Sequence, residues 1–469
     1  MSVYQNNPEA IRALVRPYEV HRDVYIDDDV FQLEMEHLFA NTWVYAGHAS
    51  QLPKPGNFLT TTVGNQSLLI SRHTDGEIYV SYNRCPHKGT QITVEECGHA
   101  GRVFTCPYHG WSFRTDGSLA GVPLPQGYTG TGAEDSDVMK GLAPVKNVRV
   151  YRDFIFVKLN DGGMDFDEFF GESLSTIDNM IDRSPEGKLE IAGQPLRYMH
   201  NCNWKMLQEN QTDACHPMIA HESSAGTAVK VWKDSGRNDF HPAIELITPF
   251  TSHYKFYEEF GLRVWPNGHG HTGVTDSIHA DYADVPGYWE SMVDAYGEER
   301  AKAILDDVRH NTVYWPNIMV KGPLHIIRIF KPLAANRTLV ESWTFRVVGA
   351  PDRFLERTML YNRTINSPTS IVGHDDLEMY SRIQRGLHVN ALEWVNIQRL
   401  YSDDEPVDET AVVNGTSERQ MRNQFHAWVK FMTQSMGRRS LEVDKRGPIL
   451  KETTPPPDDQ TDVSLQDAV

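Results

Sequence analysis

Two short segments restrict this chain more than any other part of it. Cys85-Pro86-His87-Lys88-Gly89-Thr90 and Cys106-Pro107-Tyr108-His109-Gly110-Trp111 each set one cysteine and one histidine in a Pro/Gly turn. Cys-x-His, then 18 residues, then Cys-x-x-His supplies two sulfur and two nitrogen ligands. The two loops must face each other across one centre, so the chain between and around them has to form a rigid support. FLTTTV, SLLISR, EIYVSYN, RVFTCPY and RVYRDFIFVKL, within Phe58 to Leu159, are short β-branched and aromatic runs parted by Gly, Asn or Asp turns. They predict a small all-β domain over residues 44–160.

Zinc accepts two thiolates and two imidazoles in a tetrahedron, but zinc knuckles usually draw two cysteines from one loop. One ligand of each kind from each loop suits a [2Fe–2S] cluster of Rieske type, with two cysteines on one iron and two histidines on the other. Imidazole in place of thiolate removes negative charge and raises the cluster's potential. Cys97 lies between the loops without a partner at ligand spacing and reads as a bystander.

At 469 residues the chain is longer than one core usually takes, so a further domain is expected. Asp27 to Trp43 carries Val30, Leu33, Met35, Leu38 and Phe39 at helical spacing, predicting a helical segment within residues 1–43 that packs on the larger domain. Residues 161–450 mix helical patterns (DFDEFFGESLSTIDNMIDR, WESMVDAYGEERAKAILDDV, SERQMRNQFHAWVKFM) with a strand at PLRYMHNCNW and a hairpin at HIIRIFKPLAANRTLVESWTFRVV. The layout is α+β, with the all-β domain inserted after the first helix. Residues 451–469 are proline-rich and acidic and read as a disordered tail. Apolar runs are too short for a membrane span, no secretory signal is apparent, and five cysteines make no disulfide framework, so a cytoplasmic location is expected. A net charge of −18 argues against nucleic acid and anionic membrane as partners.

A second constellation lies in NCNWKMLQENQTDACHPMIAHESS, Asn201 to Ser224. Asp213 and His216 are three apart and would share one face of a helical turn. His216 and His221 are five apart, about 140° around a regular helix. Pro217 disfavours the α conformation at His216, so the helix is expected to break there and return His221 to the same metal. Two imidazoles and one carboxylate, leaving positions open, make the facial triad of non-haem Fe(II) oxygenases. The carboxylate must come from elsewhere. GHDDLEMYSRIQRGL, with Leu377, Tyr380, Ile383 and Leu387 at apolar spacing, predicts a helix with an acidic start. Asp375, Asp376 and Glu378 are all candidates there, and Asp375 could equally be an N-cap. His269 and His271, in NGHGHT, offer a rival metal pair but read better as pocket-lining or solvent-facing residues.

The C-P-x-H and C-P-Y-H-G-W loops, together with Glu209-Asn210-x-x-Asp213-x-x-His216-x-x-x-x-His221, resemble the Rieske non-haem-iron aromatic-ring-hydroxylating oxygenases. The resemblance is to their large (alpha) subunits, on the benzoate-dioxygenase-like branch, and spans about residues 20–440. Cys215 departs from the family's usual tyrosine, and a thiol beside an O2-activating iron is an oxidation risk. The resemblance implies a helix-grip catalytic domain of antiparallel sheet and helices. It assigns Cys85, His87, Cys106 and His109 to the cluster. The mononuclear Fe(II) falls to His216, His221 and Asp376, the second acid of the Asp375-Asp376-x-Glu378 run. O2 is the implied co-substrate, and electrons come from NAD(P)H through a reductase, with or without a ferredoxin. The implied reaction hydroxylates, and by expectation dihydroxylates, an aromatic ring of an aromatic carboxylate, for which Arg263, Lys255 or Arg328 would supply the cation. The implied assembly is a head-to-tail alpha trimer with a small beta subunit (α3β3), in which Asp213 bridges His216 to His109 of the partner subunit. A Rieske monooxygenase or demethylase of alpha-only trimers is the rival reading; a purely electron-transferring Rieske protein would lack the triad.

Overall fold

The register of one sheet decides which polar side chains of this protein can meet. The computed structural model describes residues 2–436, apart from 134–135, 238, 240, 276–281 and 283–284. The stretch 451–469 lies outside the described residues. Among the described residues no helix is long and apolar enough to cross a membrane.

The β runs fold as three small antiparallel sheets. Ile78–Tyr82, Gln66–Arg72, Asn57–Val63 and Cys97–His99 pair in that order. Val103–Thr105, Ser112–Arg114 and Leu119–Gly121 form a second sheet. Phe58, Leu69, Phe104, Trp111 and Phe113 make one core between them, and Cys85 and Cys106 are buried in it. The third sheet, Asn147–Tyr151, Phe154–Lys158 and Val44–His48, packs into the larger domain's core instead. The Asn317 amide donates to Tyr45 O and accepts from Tyr45 N, both at 3.2 Å, which fixes that junction.

The larger domain is built on a nine-stranded antiparallel sheet. Four of its strands are β1 (Leu196–His200), β2 (Ile318–Lys321), β3 (Ile326–Ala334) and β4 (Arg337–Val347), of which β1 pairs only with β4. β3 and β4 form the hairpin read in the sequence. Arg328 stands opposite both Met319 and Ser342, Lys321 opposite Ile326, Tyr198 opposite Val340 and His200 opposite Thr338. Paired residues share a face and alternate residues repeat it. Tyr198, His200, Lys321 and Arg328 therefore all rise from one face.

Four helices carry or brace the polar groups gathered over that face: α1 (Trp204–Thr212), α2 (Pro217–Ala220), α3 (Gly373–Gly386) and α4 (Arg419–Thr433). Three expected helices are interrupted, the one over residues 165–183 at Gly171 (φ 50°), which parts Phe166–Phe170 from Ser175–Asp182. Gly297, at φ 78°, divides the one over residues 289–308 into Tyr288–Tyr296 and Glu298–Leu305. The N-terminal one starts at Asp28, capped by Asp27, and widens into a π turn over Glu34–Leu38. Glu34 is fully buried, where it accepts from Trp204 Nε1 (2.9 Å) and Trp428 Nε1 (2.7 Å) and pairs with the buried Lys205 ammonium. One carboxylate thus ties the N-terminal segment to α1 and α4. Removing one partner of a buried ion pair leaves the other charge uncompensated, at a cost of about 3–5 kcal/mol. Glu34→Ala should lose stability on that scale in denaturant titrations followed by tryptophan fluorescence; a change within about 1 kcal/mol would mean the network is not what holds these elements.

Candidate metal centres

The two Cys/His loops are built alike. In each, the cysteine N–H donates to the carbonyl five residues on (Cys85 to Thr90, 2.7 Å; Cys106 to Trp111, 2.8 Å). In each, the glycine four residues on donates back to the cysteine carbonyl (Gly89, 3.0 Å; Gly110, 3.1 Å) and takes a positive φ, 79° and 70°. The turn bares the N–H groups of His87 and Lys88 to the Cys85 sulfur, and those of Tyr108 and His109 to the Cys106 sulfur. Such donors favour thiolate, the form a metal binds. The His87 and His109 rings meet edge-on with centroids 4.6 Å apart, and Trp111 stacks on His87 at 5.0 Å. Nδ1 of His87 is buried without a hydrogen-bond partner, which suits a group turned toward a metal. The four side chains fit the [2Fe–2S] donor set.

The second site forms where α1 stops. Asp213 leaves the helix in extended conformation (φ −81°, ψ 106°) and caps the turn by accepting from Cys215 N at 2.8 Å. The break therefore falls at Asp213, before Pro217. Pro217 opens α2, and His216 takes α values (φ −63°, ψ −32°) against the pre-proline preference, its carbonyl accepting from Ile219 N and Ala220 N. So the turn, and not one helix face, carries Asp213 toward His216. Asp376, on the first turn of α3, places Oδ1 3.6 Å from Nε2 of both His216 and His221. The three ligand atoms all lie within 4.8 Å of one another. Asn210 Nδ2 donates into the same point, to His216 Nε2 (3.1 Å) and Asp376 Oδ1 (3.4 Å), as a cation would. The donor set fits a mononuclear iron.

Residues 42–143 match the Rieske [2Fe-2S] domain family, and residues 190–435 match the ring hydroxylating alpha subunit catalytic domain. The chain belongs to the ring-hydroxylating oxygenase alpha subunits. It is 27% identical to the large subunit of anthranilate 1,2-dioxygenase from Acinetobacter baylyi over 91% of this chain and 92% of that one. To the alpha subunit of toluate 1,2-dioxygenase from Pseudomonas putida it is 30% identical over 79% of each. A solved naphthalene 1,2-dioxygenase with indole bound shares the fold at a TM-score of 0.73 and 23% identity, over 92% of this chain and 95% of that one. A Rieske cluster, a mononuclear iron and O2 go with this family.

In this alpha subunit the neighbouring acids divide the work around the imidazoles. Asp375 Oδ2 lies 3.3 Å from Nδ1 of His221 and accepts from Ser224 Oγ, so it orients the ring from behind. Glu378 faces solvent with Arg382. Asp213 Oδ2 approaches Nδ1 of His216 at 3.7 Å, beyond hydrogen-bond length, and Arg399 lies 3.6 Å from Oδ1. Burial would raise the Asp213 carboxyl, but His216, the Cys215 N–H and Arg399 outweigh it and hold it below the usual range. Burial pushes Glu209 up to about 8, the hydrogen bond from Tyr25 offsetting only part.

A cavity of ≈ 780 Å³, its mouth included, opens beside the three ligands. Phe250, Tyr257, Phe260, Ile365 and Val372 supply apolar wall, and Arg328 and Lys321 rise from the sheet. Of the cations expected from sequence, only Arg328 lines it. Arg263 and His271 border a different crevice, and Lys255 is exposed beside Glu259. His269 and His271 are buried and held by backbone groups, and burial pushes both down to about 3, so they are neutral framework residues. Lys321 escaped the sequence reading, although a lysine ending the buried run IMVK was a usable signal.

Asp376→Ala should cut iron from about three per chain to about two, with the visible cluster bands intact. Asp375→Ala should keep the metal but bind it about 10–100-fold more weakly. Metal analysis with absorption spectra checks both; the reverse ranking would give the ligand role to Asp375.

Proposed function

We propose that this alpha subunit is the oxygenase component of an enzyme that dihydroxylates the ring of an aromatic carboxylate. The observation that carries the reading is the convergence of His216, His221 and Asp376 on an apolar-walled cavity. The names of the anthranilate and toluate relatives support a ring acid as substrate. When bound, the iron supplies O2 activation and the Rieske cluster its electrons. The protein's own part is placement. His216, His221 and Asp376 would hold the metal, and the cavity lies beside them. Asp375 keeps the His221 ring turned so that Nε2 faces the metal. The aromatic and branched walls hold a flat ring beside the metal and keep water from it.

The working unit in this reading is a head-to-tail alpha trimer in the cytoplasm, with a small beta subunit and a reductase or ferredoxin as partners. Two exposed apolar regions support it. Tyr108 (66% exposed) lies in a cluster loop and Val94 and Leu124 follow the two loops in sequence, while Ile219, Ile383 and Leu392 (80%) lie on or just past the helices bearing the candidate iron ligands. Unlike patches on one chain favour a heterologous contact that closes into a ring. His109 is exposed, so Asp213 would meet His109 of the partner subunit and link it to His216.

Turnover of an aromatic acid with labelled O2 should place both oxygen atoms in a vicinal dihydrodiol; one labelled atom would establish a monooxygenase instead. Asp213→Asn should keep both metal centres yet slow cluster reoxidation about 100-fold or more in single turnover. An unchanged rate, or a fully active monomer, would refute the bridge.

A further inference from the structure

Most buried charges elsewhere in this protein are answered by opposite charges. Lys205 meets Glu34, Arg422 meets both oxygens of Glu405 (2.8 and 2.6 Å), and Glu341 lies between Arg197 and Lys331, each at 2.9 Å. Arg183, Lys158 and Arg419 are buried without a carboxylate partner, but they donate to Asp307 O, to Gly162 O and Met164 O, and to Pro406 O, and none of them lines the cavity beside the three candidate ligands. Arg328 and Lys321 differ from all of these. Arg328 Nη1 donates to Gln211 Oε1 and Nη2 to Tyr198 OH, both at 3.0 Å, and its Nε has no partner. Lys321 Nζ donates to Asn311 Oδ1 (2.5 Å), lies 3.3 Å from His310 Nε2 and stands 5.2 Å above the Tyr361 ring. None of the side chains named here is a carboxylate. Among the described residues no carboxylate lies within ion-pair reach of either cation. Asp376, the acid that acts on both at longer range, is turned to the histidines.

Strand register puts both cations on one sheet face, together with Tyr198 and His200, and all four line the cavity beside the iron ligands. His200 is 2% exposed, and neither ring nitrogen has a hydrogen-bond partner. Burial pushes the Lys321 ammonium well below its ordinary value whereas the Arg328 guanidinium keeps its charge, so an interior with this guanidinium, a lysine short of an anion and several unfilled donors is costly while no anion is present. Such a floor is complementary to one anionic group with lone pairs in several directions.

We infer that Arg328 and Lys321 form the subsite that receives the substrate's carboxylate, and that they set the enzyme's preference for ring acids over neutral arenes. This inference rests on reading the site as a ring-hydroxylating oxygenase. The guanidinium offers a planar fork to the carboxylate, with Gln211 and Tyr198 as positioning residues that hold its plane. Lys321 adds a second donor from the neighbouring strand. The acid group points at the sheet, and the ring it carries lies between the apolar wall and the triad. A neutral arene of the same shape would leave both cations unpaired, so discrimination comes from what the wrong ligand fails to satisfy.

The test uses the full-length, iron-loaded protein with its cluster oxidised, so that binding is read without turnover. Calorimetry would compare benzoate, toluate and anthranilate with their carboxamides. At least one carboxylate should bind about 30-fold or more tightly than its amide, and Arg328→Gln should abolish that difference while leaving amide affinity within about threefold. Arg328→Lys should recover part of it, and Lys321→Met should lose less than Arg328→Gln. Cluster absorption and iron content establish that each variant is folded. A carboxylate preference that survives Arg328→Gln, an equal loss for acid and amide, or no preference in the unaltered protein would overturn the subsite. Turnover judges the underlying reading separately. Protein that binds acids through Arg328 but oxidises no arene with a reduced partner would overturn the oxygenase assignment and leave the anion subsite standing.

Discussion

One buried amide holds together the parts that the iron site needs. Asn203 Nδ2 donates to Tyr25 O (3.0 Å) and Ala335 O (2.9 Å), its Oδ1 accepts from Lys205 N (3.1 Å), and its N–H donates to Gln384 Oε1 (2.8 Å). It thereby joins the N-terminal segment, the tip of the β3–β4 hairpin, the start of α1 and the end of α3. α1 leads into the turn with the two histidines, and α3 carries Asp376. A made hydrogen bond contributes only about 1 kcal/mol net, but a buried one left unmade costs about 1–3 kcal/mol. The arrangement is therefore close to all-or-none: these four segments satisfy each other in one relative placement. Glu34 secures the opposite side of α1 in the same way, with a charge in place of an amide.

How far the sequence carried depended on whether a feature was local. The Cys/His loops, the short β runs and the long hairpin are written in neighbouring residues, and the structure contains them. Which of two adjacent acids faces the iron site is not local. Consecutive residues on α3 point about 100° apart, so Asp376 meets the Nε2 side of the imidazoles while Asp375 meets Nδ1 of His221. Spacing alone could not rank them without knowing where α1 ends. The His216 backbone is similar, since the preference imposed by Pro217 was real but weaker than the turn set by Asp213. Arg263 and Lys255 resembled Arg328 as charges in sequence; only their places in the fold separate them, Arg328 on the cavity face of a central strand and the other two away from it.

The cavity is also polar along its length in a way that composition hides. The chain's acidic excess is represented there by carboxylates from the turn and the helix, Asp213 and Asp376, with Asp375 close behind His221. The sheet supplies the cations, Lys321 and Arg328. Helix and sheet thus face each other with opposite signs across an apolar gap, and a metal dication bound on the helical side would offset the local negative charge.

The matching turns around Cys85 and Cys106 differ in one respect, the offset of their histidines, two residues on in one loop and three in the other. That single-residue offset leaves His87 partly covered beneath Trp111 and puts His109 on the surface, with both cysteines buried. Of the four side chains, His109 is therefore the most open to the outside. A protein docking on these loops would meet that imidazole first, so an electron donor and an electron acceptor that both used it would have to take turns at the same doorway.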